Sequence, residues 1–181
     1  MKNNTLSVPE IAMTGMFTAV LAVLSILQIP MPSGVPITLQ TFAVALCGYV
    51  LGTRKGLLSV ALYLLIGFMG LPVFTGMTSG IGKLFGFTGG FLYGFLFLVF
   101  FCGAGIRIQK KGTAVLLGIA GLLICHILGA LHYSFIAGSG FPQAFFMVSL
   151  PYLPKDILSV IGAYAAALAL GKSLARAGVS V

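Results

Sequence analysis

Charge is what this 181-residue chain has least of: ten Lys or Arg and two acidic residues, Glu10 and Asp156, amount to 7% of it. A soluble domain carries about 25% charged residues, so a water-facing exterior cannot be assembled from this composition. The 59% hydrophobic content and mean hydropathy of +1.15 exclude a solvated disordered chain as well. What remains is an integral membrane protein. Acidic residues are so few, with no serine–histidine–acid set, that general acid–base catalysis has little to work with. Cysteine is also sparse. Cys47, Cys102 and Cys125 are odd in number and unpaired in spacing, so they read as small buried apolar residues and not as a disulfide framework. His126 and His132 stand about 240° apart around a helix, which excludes a shared metal face. Neutral packing is expected of both, with contact between His132–Tyr133 and a cavity as the alternative. The net charge of +8 is dispersed through apolar sequence and does not form a nucleic-acid patch.

What is abundant is apolar run. A bilayer core of about 30 Å takes about 20 such residues per helix, and six spans can be read: 11–29, 37–52, 56–71, 88–108, 113–136 and 156–174. Pro30 and Pro32 end the first, Arg54-Lys55 the second and Pro72 the third. The first run is too long for a signal-peptide core and lacks a small-residue cleavage site, so it reads as a retained helix. Threading six spans with the N-terminus inside puts Lys2, Arg54, Lys55, Arg107, Lys110, Lys111, Lys172 and Arg176 on one face. Only Lys83 and Lys155 fall on the other. Cytoplasmic loops carry the Lys/Arg excess, so both termini are expected in the cytoplasm, and 1–181 reads as a single six-helix membrane domain.

The external connections 30–36, 72–87 and 137–155 are longer than the internal ones, rich in Gly and Pro, and still apolar. Irregular backbone at this depth needs protein cover or a cavity to line. Re-entrant turns or short helices folded over an outward-facing pocket are therefore expected. For the segment 141–150 an interfacial helix is the alternative. Ionisable residues near the membrane are costly and mark function by default. Asp156 reads either as the N-cap of the sixth span or as a ligand acceptor, and Lys155 either pairs with it or snorkels outward. Lys83 lies in the glycine-rich run 76–83 beside Thr78 and Ser79, where exposed N–H groups and a cation suit an anionic group. An ordinary loop lysine is the alternative.

Two nucleotide-site lookalikes fail. Gly171-Lys172-Ser173 has Ala166 where a P-loop needs glycine, and it closes a helix instead of opening one. Gly80-x-Gly82 has Phe85 at the third glycine position. If the chain needs the energy of a nucleotide, another polypeptide supplies it. Small residues at four-residue spacing recur at Gly15/Ala19, Gly48/Gly52 and Gly86/Gly90/Gly94, with Thr18/Ala22 on an adjacent stripe of the first span. They suit close packing within the bundle or against a partner helix.

Four segments then read together. They are Val35-Pro36-Ile37-Thr38-Leu39-Gln40-Thr41, Gly70-Leu71-Pro72-Val73-Phe74, Gly86-Phe87-Thr88-Gly89-Gly90 with Gly94-Phe95, and Pro151-Tyr152-Leu153-Pro154-Lys155-Asp156. In this order and spacing the chain resembles the BioY family, the biotin-specific substrate-binding (S) components of energy-coupling-factor (ECF) vitamin transporters, over nearly its whole length. The resemblance implies an all-α six-helix membrane fold in a prokaryotic cell membrane, with external loops roofing the site. It also implies three partners: a transmembrane coupling subunit and two cytoplasmic ATPases, met by Gly15, Ala19 and Ala22 of the first helix. Biotin would present ureido N–H groups to Asp156, with Phe74 and Tyr152 sandwiching its rings. Members commonly carry lysine three residues after that aspartate, where this chain has Ser159. Lys83 or Lys155 is then expected to hold the biotin carboxylate. Thr78, Ser79, Gln40, Tyr93 and Gln143 complete the expected site, with no cofactor and no metal. Another vitamin on the same fold is the nearest alternative; a small membrane enzyme or a structural subunit are the alternatives of a different class.

Overall fold

Each long apolar run becomes a helix, because backbone N–H and C=O groups inside a bilayer must be satisfied within their own segment. The structure, a computed structural model, describes residues 7–108 and 110–176; the expectations for Lys2 and for the Lys111 side chain lie outside the described residues. Along the chain run α1 (Val8–Ile26), β1 (Gln28–Ile29), β2 (Ile37–Thr38), α2 (Gln40–Phe68) and α3 (Ile81–Leu84). They are followed by α4 (Gly89–Arg107), α5 (Lys111–Ala137), α6 (Phe141–Val148) and α7 (Leu153–Arg176). Among the described residues five helices, α1, α2, α4, α5 and α7, are long and apolar enough to cross a membrane.

The helix α2 is not one straight rod. Gly52 breaks it with φ 74° and ψ −178°, a conformation essentially reserved for glycine. In a continuous helix Gln40 and Tyr63 would lie about 35 Å apart, yet Gln40 Nε2 donates to the Tyr63 hydroxyl at 2.7 Å. The chain therefore doubles back at Gly52, and the arms before and after it lie side by side. This corrects the reading of Gly48/Gly52 as one packing ridge. Gly48 is the packing residue: a Cβ there would sit 2.6 Å from Cys102 Cβ on α4. Gly52 is the turn.

The helix α4 packs on both α2 and α5, α1 packs on α2, and α7 packs on α2 and α5. Gly94 lets α4 approach α5, since a Cβ on it would lie 2.7 Å from Cys125 Cα. Gly86 belongs to the turn before α4 instead. On α1, Phe17, Leu21 and Ser25 are buried, and the Thr18 hydroxyl meets the Ser59 carbonyl at 3.2 Å. Gly15 and Ala19 face outward with no neighbour near Gly15, whereas Ala22 is partly buried against the core.

Connectivity sorts the ends. The first turn of α1, the Gly52 bend, the α4–α5 link and the end of α7 share one end, where Glu10 and Lys55 pair at 3.5 Å. At that N-terminus Ser7 N and Oγ both donate to Glu10 Oε2 at 2.9 Å, so one carboxylate caps α1 and binds the bend. The other end carries the long connections. Turns and short helices are expected there, and a hairpin is present besides: residues 28–38 are antiparallel, pairing Gln28 with Thr38 and Ile29 with Ile37. Residues 72–87 contain a Phe74–Thr78 bridge and the short α3, and 137–155 contain α6.

Candidate ligand-binding site

A cavity opens at the end with the long connections. About 640 Å³ of it is not filled by atoms, mouth included, and about 50 Å³ admits the centre of a water-sized sphere. Its wall is contributed by the hairpin (Val35, Pro36, Thr38), the start of α2 (Gln40, Thr41), the 72–87 connection (Phe74, Thr75, Lys83), α4 (Phe91, Leu92, Phe95), α5 (Leu122, Cys125, His126) and the start of α7 (Tyr152, Lys155, Asp156). Most of this wall is apolar and aromatic, with a few polar groups converging on it.

Asp156 is the centre of those polar groups. It is not the N-cap of α7, because the helix begins at Leu153 and Asp156 N already donates to Tyr152 O at 2.9 Å. Its side chain is thereby freed from capping and held in the first turn, 5% exposed. Lys155 Nζ pairs with Asp156 Oδ1, and His126 Nε2 lies 3.3 Å from Oδ2. Lys155 also donates to Thr38 O at 2.9 Å, tying α7 to the hairpin. The Tyr152 hydroxyl donates to Val35 O and meets Ser33 Oγ at 2.9 Å, so the hairpin is fastened over the mouth at several points.

Gln40 is held within the protein at both ends of its amide. Its Nε2 serves Tyr63, and its Oε1 accepts from Thr75 Oγ1 at 3.0 Å. Phe74 packs edge-on against Tyr63 with centroids 5.4 Å apart, in space that Gly67 leaves by having no side chain. Lys83 lines the wall, half-buried, and its side chain has no hydrogen bond or ion pair among the described residues.

Of the residues expected from sequence, the fold brings Asp156, Lys83, Lys155, Phe74, Gln40 and Tyr152 to one cavity. It does not bring the others. Thr78 Oγ1 donates to Thr75 O at 2.9 Å, closing its own turn, and Ser79 follows it outside the lining. Tyr93 donates to Leu84 O at 3.0 Å on the far side of α4, and Gln143 is exposed on α6. His132 Nε2 donates to Gly86 O at 3.1 Å and does not line the cavity; the histidine that does is His126. Ser159 is not in the lining either. Sequence reasoning missed His126, Thr41, Thr75 and Phe91. The apolar spacing Leu122, Cys125, His126 on α5 is one helical face, but a core face has the same spacing. Among the described residues no group of three His, Cys, Asp or Glu side chains is placed to hold a metal ion.

The arrangement suits a mostly apolar small molecule with N–H donors for Asp156 and an anionic group for Lys83. Comparison with known proteins points the same way. The BioY family profile matches residues 1–176. The biotin transporter BioY2 of Lactococcus lactis subsp. cremoris (strain MG1363) is 40% identical over 160 residues, covering 87% of each chain. The biotin transporter BioY of Thermotoga maritima (strain ATCC 43589 / DSM 3109 / JCM 10099 / NBRC 100826 / MSB8) is 38% identical over 165 residues, 90% of this chain and 96% of that one. The crystal structure of the S-component for biotin from an ECF-type ABC transporter superposes with a TM-score of 0.84 at 27% identity, covering 95% of both chains.

Proposed function

The chain belongs to the BioY family, and we propose that it is the biotin-capturing membrane subunit of an ECF uptake transporter. It is a multi-pass membrane protein and a transport subunit, not an enzyme. The observation that carries the reading is the buried Asp156 carboxylate, held open to a cavity walled by Phe74, Phe91 and Tyr152. A carboxylate accepts hydrogen bonds and donates none, which fits the two N–H groups of a ureido ring. The apolar wall fits the fused ring and chain. Lys155 is engaged by Asp156 and Thr38, so Lys83 is the cation for the biotin carboxylate.

The two arms of α2 count as two spans in this reading, giving six. The basic end, with Arg54, Lys55, Arg107 and Lys110, then faces the cytoplasm of a prokaryotic cell, and the cavity faces outward. The outward small-residue ridge of Gly15 and Ala19, flanked by Ala22, is the docking line for the transmembrane coupling subunit, through which two ATPases drive release. Equilibrium binding in detergent against biotin, dethiobiotin, thiamine and riboflavin tests the ligand. Submicromolar biotin binding with no thiamine or riboflavin binding is expected; preference for either of those vitamins would move the chain to another specificity on the same fold.

A further inference from the structure

His126 is a polar ring on the cavity wall. It lies in the middle of the apolar helix α5 and is 2% exposed. A polar ring at that depth is costly unless it is engaged. Its Nε2 faces Asp156 Oδ2 at 3.3 Å, its Nδ1 has no hydrogen-bond partner among the described residues, and Phe91 stands edge-on to it with centroids 5.7 Å apart. Its backbone is fixed too, since Ser149 Oγ donates to His126 O at 3.1 Å.

A ring nitrogen lone pair turned toward a carboxylate oxygen would be repelled, so the proton belongs on Nε2 and His126 donates to Asp156. The buried Thr41 hydroxyl also stands against the Asp156 carboxylate, and the carboxylate's two nitrogen partners are unlike. The Lys155 side chain is 33% exposed at the mouth, on a flexible stem, while the His126 side chain is 3% exposed and wedged against Phe91. Of these two, the inner, desolvated ring is the one able to fix the plane of the carboxylate. We propose that His126 is a positioning residue that orients Asp156 toward paired N–H donors and so sets the preference for an intact ureido ring. The proposal rests on the cavity being the biotin site. Its consequence is selective: a site built to accept particular N–H groups discriminates sharply against ligands lacking them, and loosening the acceptor costs that discrimination first.

The test measures affinity for biotin and for an analogue methylated on one ureido nitrogen, by competition in detergent, for wild type, His126→Leu and His126→Gln. Glutamine carries an N–H the same number of bonds from Cα as Nε2, so it restores the donor without the ring. If His126→Leu does not purify monodisperse, His126→Asn replaces it, its amide being too short to reach Asp156. The expected result is that the ratio of the two affinities contracts about tenfold or more in the leucine variant, the loss of one hydrogen bond to a charged group. In His126→Gln the ratio returns to within about threefold of wild type. Any other pattern overturns the proposal, including equal losses for both ligands, which is what a purely structural role gives. Failure of the wild-type chain to bind biotin would remove the underlying reading, and the proposal with it.

Discussion

At the scale of single residues, the cavity divides its cations by commitment. Lys155 is bound to Asp156 and to the hairpin carbonyl of Thr38, so its first task is to hold the site together. Lys83 has no such partner among the described residues and lines the same wall. Lys83→Ala is therefore expected to weaken biotin by about tenfold, the worth of one charged hydrogen bond, with thermal stability unchanged. Biotinol, which lacks the carboxylate, should bind both proteins alike in the same titration. Equal losses for biotin and biotinol would show that Lys83 does not read the carboxylate. Asp156, Lys83 and Lys155 are legible in the sequence as ionisable residues at the mouths of apolar runs, whereas Gln40, Phe74 and Tyr152 come with the family resemblance; all six line the cavity. Thr78 and Ser79 looked equally suitable, and their turn consumed them: Thr78 bonds within its own loop. His126 was not legible, because which way a mid-helix residue faces is decided by the neighbours α4 and α7, and no local spacing records that.

At the scale of elements, the glycines separate into kinds that sequence spacing merged. Gly48 and Gly94 stand where helix backbones touch, Gly52 where the chain reverses, and Gly15 where nothing lies within 4 Å. The Gly52 conformation lies in a region that other residues avoid, at about 1–3 kcal/mol. Gly52→Ala is accordingly expected to lower stability by that order, read as a drop in melting temperature in detergent. Gly15→Ala should leave it unchanged. A Gly52→Ala protein as stable as wild type would mean that the hairpin of α2 does not form as described. The doubling back was partly readable, since Arg54-Lys55 interrupts the apolar run beside Gly52. Hairpin β1–β2 was not: two residues per strand are too few for an alternating pattern, and it is its ties to Lys155 and Tyr152 that fasten it over the cavity.

At the scale of the molecule, the scarcity of charge becomes an ordering. The basic residues Arg54, Lys55, Arg107 and Lys110 gather at one end, and Lys83, Lys155 and Asp156 at the other, around the cavity. The native thiols are buried, so an introduced cysteine reports its own side of the membrane. In intact cells a cysteine at Gln143 should react with an impermeant maleimide, and one at Lys110 should react only after the cells are opened. The reverse would invert the orientation. The claim on which the rest depends is that the Asp156 cavity is where biotin binds, and isothermal titration of wild type and Asp156→Asn in detergent tests it most directly. One biotin per chain at submicromolar affinity is predicted for wild type. The variant should lose about 100-fold, because an amide cannot accept from two donors at both of its ends and leaves Lys155 and His126 without their anion. Undiminished binding in a folded Asp156→Asn protein, or none in wild type, would contradict it.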